Sequence, residues 1–202
     1  MIENQYMECG PDEEEKADDK GAFERMLKSR SILIRGVIDG KQAEKVMREA
    51  LLLEGDDAEK PINVILNSPG GSVTDGMAIY DMLRFIRPKV RIVCAGLTAS
   101  IATIILLAAE KEDRLSLPYT RFLIHQPLIM GQVVGPASDL EITANEILKT
   151  RGILNALLAK ETGQKIARVE EDVQRDYWMR AEEAVDYGLI AGIIAHRSDL
   201  SD

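Results

Sequence analysis

Aromatic side chains are scarce in this chain of 202 residues. Phe, Tyr and Trp make up 4% of the sequence, whereas apolar residues as a whole make up 46%, so a buried core must be mostly aliphatic. Proteins that bind single-stranded nucleic acid stack its bases on exposed aromatic rings. The scarcity of such rings therefore argues against that class of function.

Cysteine is also rare, with Cys9 and Cys94 as the only two in the sequence. Their positions fit neither a disulfide framework nor a metal-binding spacing, a pattern typical of proteins from a reducing compartment. The longest uncharged apolar run, Ile101 to Ala109, is too short to span a bilayer, and the acidic N-terminus lacks the features of a secretory signal. We expect a cytoplasmic protein that contacts no membrane.

Basic residues are outnumbered by acidic ones, 25 to 34. The net charge is −9, of which residues 1–20 contribute −6 and the remaining chain −3. This balance predicts no basic surface for nucleic acid. The polar, acidic segment 1–21 has the composition of a disordered chain. The remaining length suits one domain, which we place at residues 22–196, followed by a short tail at 197–202.

The rest of the sequence alternates between strand and helix patterns. Strands are predicted at 31–36, 62–66, 90–95, 115–117, 121–124 and 189–195, and helices at 22–28, 40–54, 74–86, 100–109, 138–162, 165–173 and 180–186. This order predicts an α/β fold with a mostly parallel sheet. Ligands bind at the carboxyl ends of strands in such folds, where the loops NSPGGSV (67–73) and AGLTAS (95–100) follow two predicted strands.

Each loop contains a candidate for chemistry that also has an ordinary structural explanation. Ser100 precedes an apolar helix and is expected to cap it, a role worth about 1 kcal/mol. The same position suits a nucleophile, because free N–H groups at the helix N-terminus, such as that of Ile101, stabilise a developing oxyanion. Gly70-Gly71 forms a turn, or it brings a backbone N–H close to a ligand.

A general base and an acid are harder to select. His125 ends an apolar strand in RFLIHQP, whereas His196 lies among polar residues near the C-terminus. If the protein uses a histidine base, His125 is the candidate, although a structural role is commoner for a histidine at a strand end. Among 34 carboxylates, Asp176 in QRDYWM stands beside aromatic residues, and composition alone scarcely distinguishes it from the others.

Taken together, these segments resemble the proteolytic subunit family of Clp proteases (ClpP), a family of serine peptidases. The resemblance extends over about residues 23–196, and the order and spacing of its motifs agree along the chain. The motifs are NSPGGSVTDGMAIYD (67–81), GLTASIA (96–102), FLIHQP (122–127), DLEITANEIL (139–148), TGQ (162–164), QRDYWM (174–179) and EAVDYGLI (183–190).

The resemblance implies a catalytic triad of Ser100, His125 and Asp176, with an oxyanion hole made by the Gly71 and Ile101 amides. It implies a spiral of β-β-α units, related to crotonase-like folds, with a handle formed by a strand and a long helix. It also implies peptide-bond hydrolysis in unfolded polypeptides inside two stacked seven-membered rings, a tetradecamer that serves protein quality control. A AAA+ Clp ATPase would feed this chamber, and no metal or other cofactor is implied.

Several positions depart from the family pattern. Ile101-Ala102 follows the expected nucleophile in place of Met-Gly, and Gln174 replaces an acidic residue that pairs with an arginine across the ring junction. A charge-assisted bond would thereby become a weaker neutral one. Asn63 and Ile65 replace aromatic residues of the ATPase-docking groove, and the acidic residues 1–20 replace an apolar N-terminus. ATPase docking is therefore a weaker expectation than peptide hydrolysis.

Three functions remain open at this point. The first is an active Clp-type serine endopeptidase. The second, motivated by the departures, is a weakly active, regulatory or structural subunit of a mixed ring with a ClpP paralogue. The third is an acyl-CoA hydratase or isomerase on the same fold, although the segments QRDYWM and IHQP resemble the peptidase.

Overall fold

The computed structural model describes residue 21, residues 23–128 and residues 134–200. Residues 1–20 of the predicted disordered segment 1–21 lie outside this part of the chain. Residues 129–133, in the loop where the strand of the handle is expected, also lie outside it.

Strands and helices alternate along the described chain. The strands are β1 (Ser31–Arg35), β2 (Ile62–Ser68), β3 (Val90–Ala99), β4 (Arg114–Ser116), β5 (Arg121–Ile124), β6 (Tyr177–Arg180) and β7 (Gly192–Ile193). The α-helices that follow the helical stretch at residues 23–28 are α1 (Gly40–Asp56), α2 (Val73–Phe85), α3 (Ile101–Leu106), α4 (Ala137–Thr162), α5 (Ile166–Asp172) and α6 (Ala181–Tyr187). Short 3₁₀ helices occupy Lys111–Asp113 and Arg197–Asp199.

The described strands form one sheet in which β3 has the central position. The order β1-β2-β3-β4-β7 is parallel throughout, and β5 also pairs with β3 in parallel. The first half of β3 pairs with β4 and its second half, from Leu97 to Ala99, pairs with β5. Only β6, which is antiparallel to β5, breaks the pattern among the described strands. The prediction of an α/β fold with a mostly parallel sheet is confirmed.

Aliphatic packing holds the helices against this sheet. In α1 the buried apolar residues Ala43, Val46, Ala50 and Leu53 recur at helical spacing, which gives the helix one apolar stripe. Asp39 caps its first turn by accepting a hydrogen bond from the Gln42 N–H at 2.8 Å. The core thus follows from the aliphatic composition of the chain.

The strands around the predicted loops differ from the sequence-based expectation. β2 continues to Ser68 and β3 to Ala99, beyond the predicted ends at residues 66 and 95. After a register shift, Ser68 pairs with Thr98, so residues expected to form loops complete the ladder instead. β6 was not predicted, because a short edge strand of four residues carries little alternation. The predicted strand at 189–195 is reduced to β7, and helix 100–109 to α3.

The helix interior offers a test of this packing. Gly152 lies within α4, and a Cβ added there would meet nothing within 4 Å. Gly152→Ala is therefore expected to raise the free energy of unfolding by about 0.5–1 kcal/mol, because alanine loses less backbone entropy in a helix. A Cβ at Gly76 in α2 would lie 2.2 Å from Ile101 Cγ1. Gly76→Ala is expected to lower stability by about 1–3 kcal/mol through overpacking.

Urea unfolding of the two variants and the parent protein measures both effects. Equal shifts of the same sign in the two variants would contradict the packing described for α2 and α4.

Candidate active site

Ser100 forms a sharp turn between strand β3 and helix α3. Its backbone has φ 58° and ψ −128°, values that suit glycine in a type II′ turn and strain any residue with a Cβ. The Ser100 N–H donates to the Leu123 carbonyl at 2.8 Å, and its carbonyl accepts from the Thr103 N–H at 2.9 Å and the Thr103 hydroxyl at 2.6 Å. Three hydrogen bonds therefore hold the strained residue in place.

The expectation that the Ser100 side chain caps α3 is wrong. The Ser100 hydroxyl makes no capping hydrogen bond to the helix. A capping side chain needs an extended backbone that points its oxygen at the first helical N–H groups. With its positive φ, Ser100 instead directs its hydroxyl to His125, and the helix N-terminus stays uncapped by this residue.

Two glycines make room for the turn. A Cβ at Gly70 would lie 2.6 Å from Ser100 Cβ and 2.8 Å from the Ala99 carbonyl oxygen, and one at Gly76 would enter the Ile101 side chain. The first glycine belongs to the predicted Pro-Gly-Gly loop. Gly76 was missed, because a single glycine inside a helical pattern carries no sequence signal for a contact with residue 101.

The sheet register brings His125 to Ser100. β3 and β5 are parallel neighbours with Ala99 opposite Leu123, so the residues that follow the two strands lie side by side. His125 Nε2 is 2.8 Å from Ser100 Oγ, within hydrogen-bonding distance. The imidazole is 16% exposed, which leaves it mostly shielded from water by the surrounding chain.

Asp176 completes the group through the antiparallel pairing of β5 and β6. Ile124 faces Tyr177 across the two strands, so His125, which follows Ile124, and Asp176, which precedes Tyr177, are also neighbours. His125 Nδ1 lies 3.6 Å from Asp176 Oδ1, and the aspartate side chain is 64% exposed. This distance places the two groups beside each other but exceeds that of an N–H···O hydrogen bond.

Gln126 binds the chain segment directly before Asp176 through two hydrogen bonds. Its backbone N–H donates to the Val173 carbonyl at 2.7 Å, and its side-chain amide donates to the Gln174 carbonyl at 3.0 Å. These bonds tie the residue after His125 to the two residues that precede Arg175 and Asp176. Sequence reasoning did not identify this role for Gln126, since nothing in the motif IHQP shows which chain segment its amide contacts.

The two amides predicted for the oxyanion hole belong to the residue that follows Ser100 and to the second glycine of the Pro-Gly-Gly loop. Ile101 is the first residue of α3, so its N–H has no carbonyl four residues earlier within the helix. Gly71 forms a parallel bridge with Ile38 in which the Gly70 carbonyl and the Ser72 N–H make the hydrogen bonds. The Gly71 N–H therefore takes no part in that bridge.

A narrow apolar pocket adjoins Ser100 and His125. It has a volume of about 20 Å³. Its lining is mostly aliphatic and consists, besides Ser100 and His125, of Val73, Ile101, Thr103, Ile104, Ile124, Pro127, Leu154, Asn155 and Leu158. The aliphatic residues come from α2, α3, β5 and α4, so that four elements meet beside the serine. Such a lining disfavours a charged group, because burying an unpaired charge is costly.

Cys94, the cysteine within the described residues, is buried. Burial raises the pKa of the Cys94 thiol to about 12, so it does not form the thiolate that reacts at neutral pH.

No group of three or more His, Cys, Asp or Glu side chains within residues 23–128 and 134–200 is arranged to hold a metal ion. In the same part of the chain, no helix is long and apolar enough to cross a membrane.

Comparison with models of known protein families shows to which family the chain belongs. A sequence model of the Clp protease family, described as "Clp protease", matches residues 13–197. The chain belongs to the Clp protease family. Because Clp proteases are serine peptidases, membership favours a peptidase over an acyl-CoA enzyme on the same fold. The resemblance inferred from the sequence motifs is thereby confirmed for the family, which leaves the roles of single residues as proposals.

The strain at Ser100 in this Clp protease family member can be measured without any assay of activity. Ser100→Gly relieves the positive-φ backbone, whereas Ser100→Ala keeps the Cβ that causes the strain. We expect the free energy of unfolding of the glycine variant to be about 1 kcal/mol higher than that of the alanine variant. This difference already includes the entropy cost of glycine, which opposes the relief of strain.

Ala99→Gly, in the last position of β3, is the control and is expected to lower stability by at least about 0.5 kcal/mol. Chemical denaturation of the three variants measures their free energies of unfolding. An alanine variant at position 100 that is more stable than the glycine variant would rule out the strained turn.

Proposed function

We propose that this protein is a Clp-type serine endopeptidase in which Ser100 is the nucleophile, His125 the general base and Asp176 the residue that orients the base. The observation that carries the proposal is the 2.8 Å contact between His125 Nε2 and Ser100 Oγ at a strained strand-to-helix turn. Such turns present a serine hydroxyl at the edge of a parallel sheet in other serine hydrolases.

The first half of the reaction forms an acyl-enzyme. Ser100 Oγ attacks the carbonyl carbon of the scissile peptide bond while His125 Nε2 takes the hydroxyl proton. The negative charge that develops on the carbonyl oxygen is stabilised by the amides of Gly71 and Ile101, each donor contributing about 3 kcal/mol in comparable enzymes. The imidazolium then protonates the leaving amine, and the carbon–nitrogen bond breaks.

The second half repeats these steps with water as the nucleophile. His125 takes a proton from the water, which attacks the acyl carbon, and returns the proton to Ser100 Oγ as the ester bond breaks. Asp176 stabilises the imidazolium form and selects the tautomer with a proton on Nδ1. From its present 3.6 Å, the carboxylate reaches hydrogen-bonding distance after a shift of roughly 0.5 Å.

The substrate is an unfolded polypeptide with an apolar residue at the cleaved bond. The aliphatic pocket beside Ser100 supports this preference, since each methylene buried there favours binding by about 0.8 kcal/mol. In agreement with the family, we propose a peptidase domain at residues 22–196 that acts inside stacked heptameric rings. A AAA+ Clp ATPase supplies substrates to this cytoplasmic quality-control assembly, and no metal or other cofactor takes part.

A second function is favoured by two observations. His125 Nδ1 and Asp176 Oδ1 are 3.6 Å apart, and Gln174, whose carbonyl accepts from Gln126, carries no charge for an ion pair across rings. Both features suit a subunit that is weakly active alone and becomes aligned in a mixed ring with a ClpP paralogue. The native mass of the purified chain distinguishes the two: a tetradecamer of 22.4 kDa chains supports the first function, and a monomer or single ring supports the second.

Hydrolysis of a fluorogenic peptide with leucine at the cleaved bond tests the assignment of the base. His125→Ala is expected to lower kcat/KM by about 10²–10⁴-fold, the usual contribution of a general base, and Ser100→Ala to abolish turnover. His196→Ala removes the other histidine of the sequence, which is exposed, and is expected to leave kcat/KM within a factor of about two. Equal effects of the two histidine variants would reject His125 as the base.

A further inference from the structure

Arg114 is completely buried and binds two helices at once. Its side chain has 0% exposure, although Arg114 is only the first residue of the short strand β4. Its Nε donates to the Ala109 carbonyl at 2.8 Å and its Nη2 to the Leu107 carbonyl at 3.4 Å, both directly after helix α3. Its Nη1 donates to the Glu161 carbonyl at 3.0 Å near the end of α4, and Nη2 also bonds the Glu161 carboxylate.

These two helices both contribute residues to the pocket beside Ser100. α3 supplies Ile101 and Ile104, and α4 supplies Leu154 and Leu158. Residue 161 lies within one helical turn of Leu158, and Leu107 lies within one turn of Ile104. The guanidinium therefore joins the ends of the two helices that line the pocket.

The chemistry of this contact makes it a rigid connection. A guanidinium is planar and presents its donors in a fixed arrangement, so it fixes the angle between the groups it binds. The carbonyls at a helix C-terminus carry partial negative charge and favour a cation. Arg114 is also anchored to the sheet by the pairing of its backbone with Ile92 of β3, the strand that ends directly before Ser100.

We infer that Arg114 and Glu161 are positioning residues that fix the width of the apolar pocket and thereby limit the size of the side chain at the cleaved bond. The inference rests on the proposed function, in which this pocket receives that side chain. Neither residue touches the substrate. Without the connection, the ends of α3 and α4 separate, and the pocket of about 20 Å³ admits larger side chains.

A merely structural role predicts a different result. If the buried pair only stabilised the fold, its loss would lower the unfolding midpoint while the preference among substrates stayed the same. The informative readout is therefore a ratio, kcat/KM for a peptide with phenylalanine at the cleaved bond divided by kcat/KM for the same peptide with alanine.

Glu161→Gln is the first variant, since glutamine keeps an acceptor oxygen but loses the charge. We expect the phenylalanine-to-alanine ratio to rise about tenfold, the scale on which a pocket discriminates side-chain size, while kcat for the alanine peptide stays within about threefold. Asp113→Asn is the matched control. Asp113 is a buried carboxylate, 5% exposed, that pairs with Lys89 and Arg91 instead of α3 or α4, and its replacement is expected to leave the ratio unchanged.

The double replacement of Arg114→Met and Glu161→Met covers the case in which Glu161→Gln does not fold. Exchanging a buried ion pair for apolar side chains of similar volume is often neutral for stability, yet it removes all four hydrogen bonds of the guanidinium. A raised ratio in a folded variant supports the inference, and an unchanged ratio overturns it. If the wild-type protein cleaves neither peptide, the proposed function fails first and the role of the pocket fails with it.

Discussion

The strained backbone of Ser100 is the constraint on which the site depends. A positive φ at a residue with a Cβ costs about 1–3 kcal/mol, and here it occurs where strand β3 turns directly into helix α3. The turn persists because Ser100 donates a hydrogen bond to Leu123 and accepts two from Thr103, and because Gly70 and Gly76 leave space for it. Without that conformation the hydroxyl would cap its helix and would not meet the imidazole.

Strand pairing in the sheet brings His125 and Asp176 next to the strained serine. Because β5 runs parallel to β3, His125 emerges beside Ser100, and because β6 returns antiparallel to β5, Asp176 emerges beside His125. Each member of the group comes directly after or before a strand of the sheet, so the pairing register of β3, β5 and β6 determines where it lies. The three residues, widely separated in the sequence, are therefore positioned by backbone pairing more than by contacts among their own side chains.

The sequence predicted the parallel α/β fold and the neighbourhood of the site, for different reasons. The spacing of aliphatic residues predicts elements such as α1 and β1, because burial of one face of a helix or strand sets that spacing. The grouping of Ser100, His125 and Asp176 came from the resemblance to a family, because composition cannot choose one carboxylate among 34.

What the sequence could not show depends on contacts between distant segments. The Gly76 approach to Ile101 and the positive φ of Ser100 arise only when α2 packs on α3, so the incorrect capping role was the natural expectation for an isolated serine. β6 was missed because its stability comes from pairing with β5 and not from its own four residues.

The most direct measurement of the central claim is the location of a covalent adduct. The folded protein would be treated with a serine-directed fluorophosphonate, digested and analysed by mass spectrometry of its peptides. An adduct on Ser100 that forms in the native protein, and does not form in protein unfolded before the treatment, is the predicted result, because only the strained turn places that hydroxyl against His125. An adduct on a different serine, or none on Ser100 in a folded sample, would contradict the account.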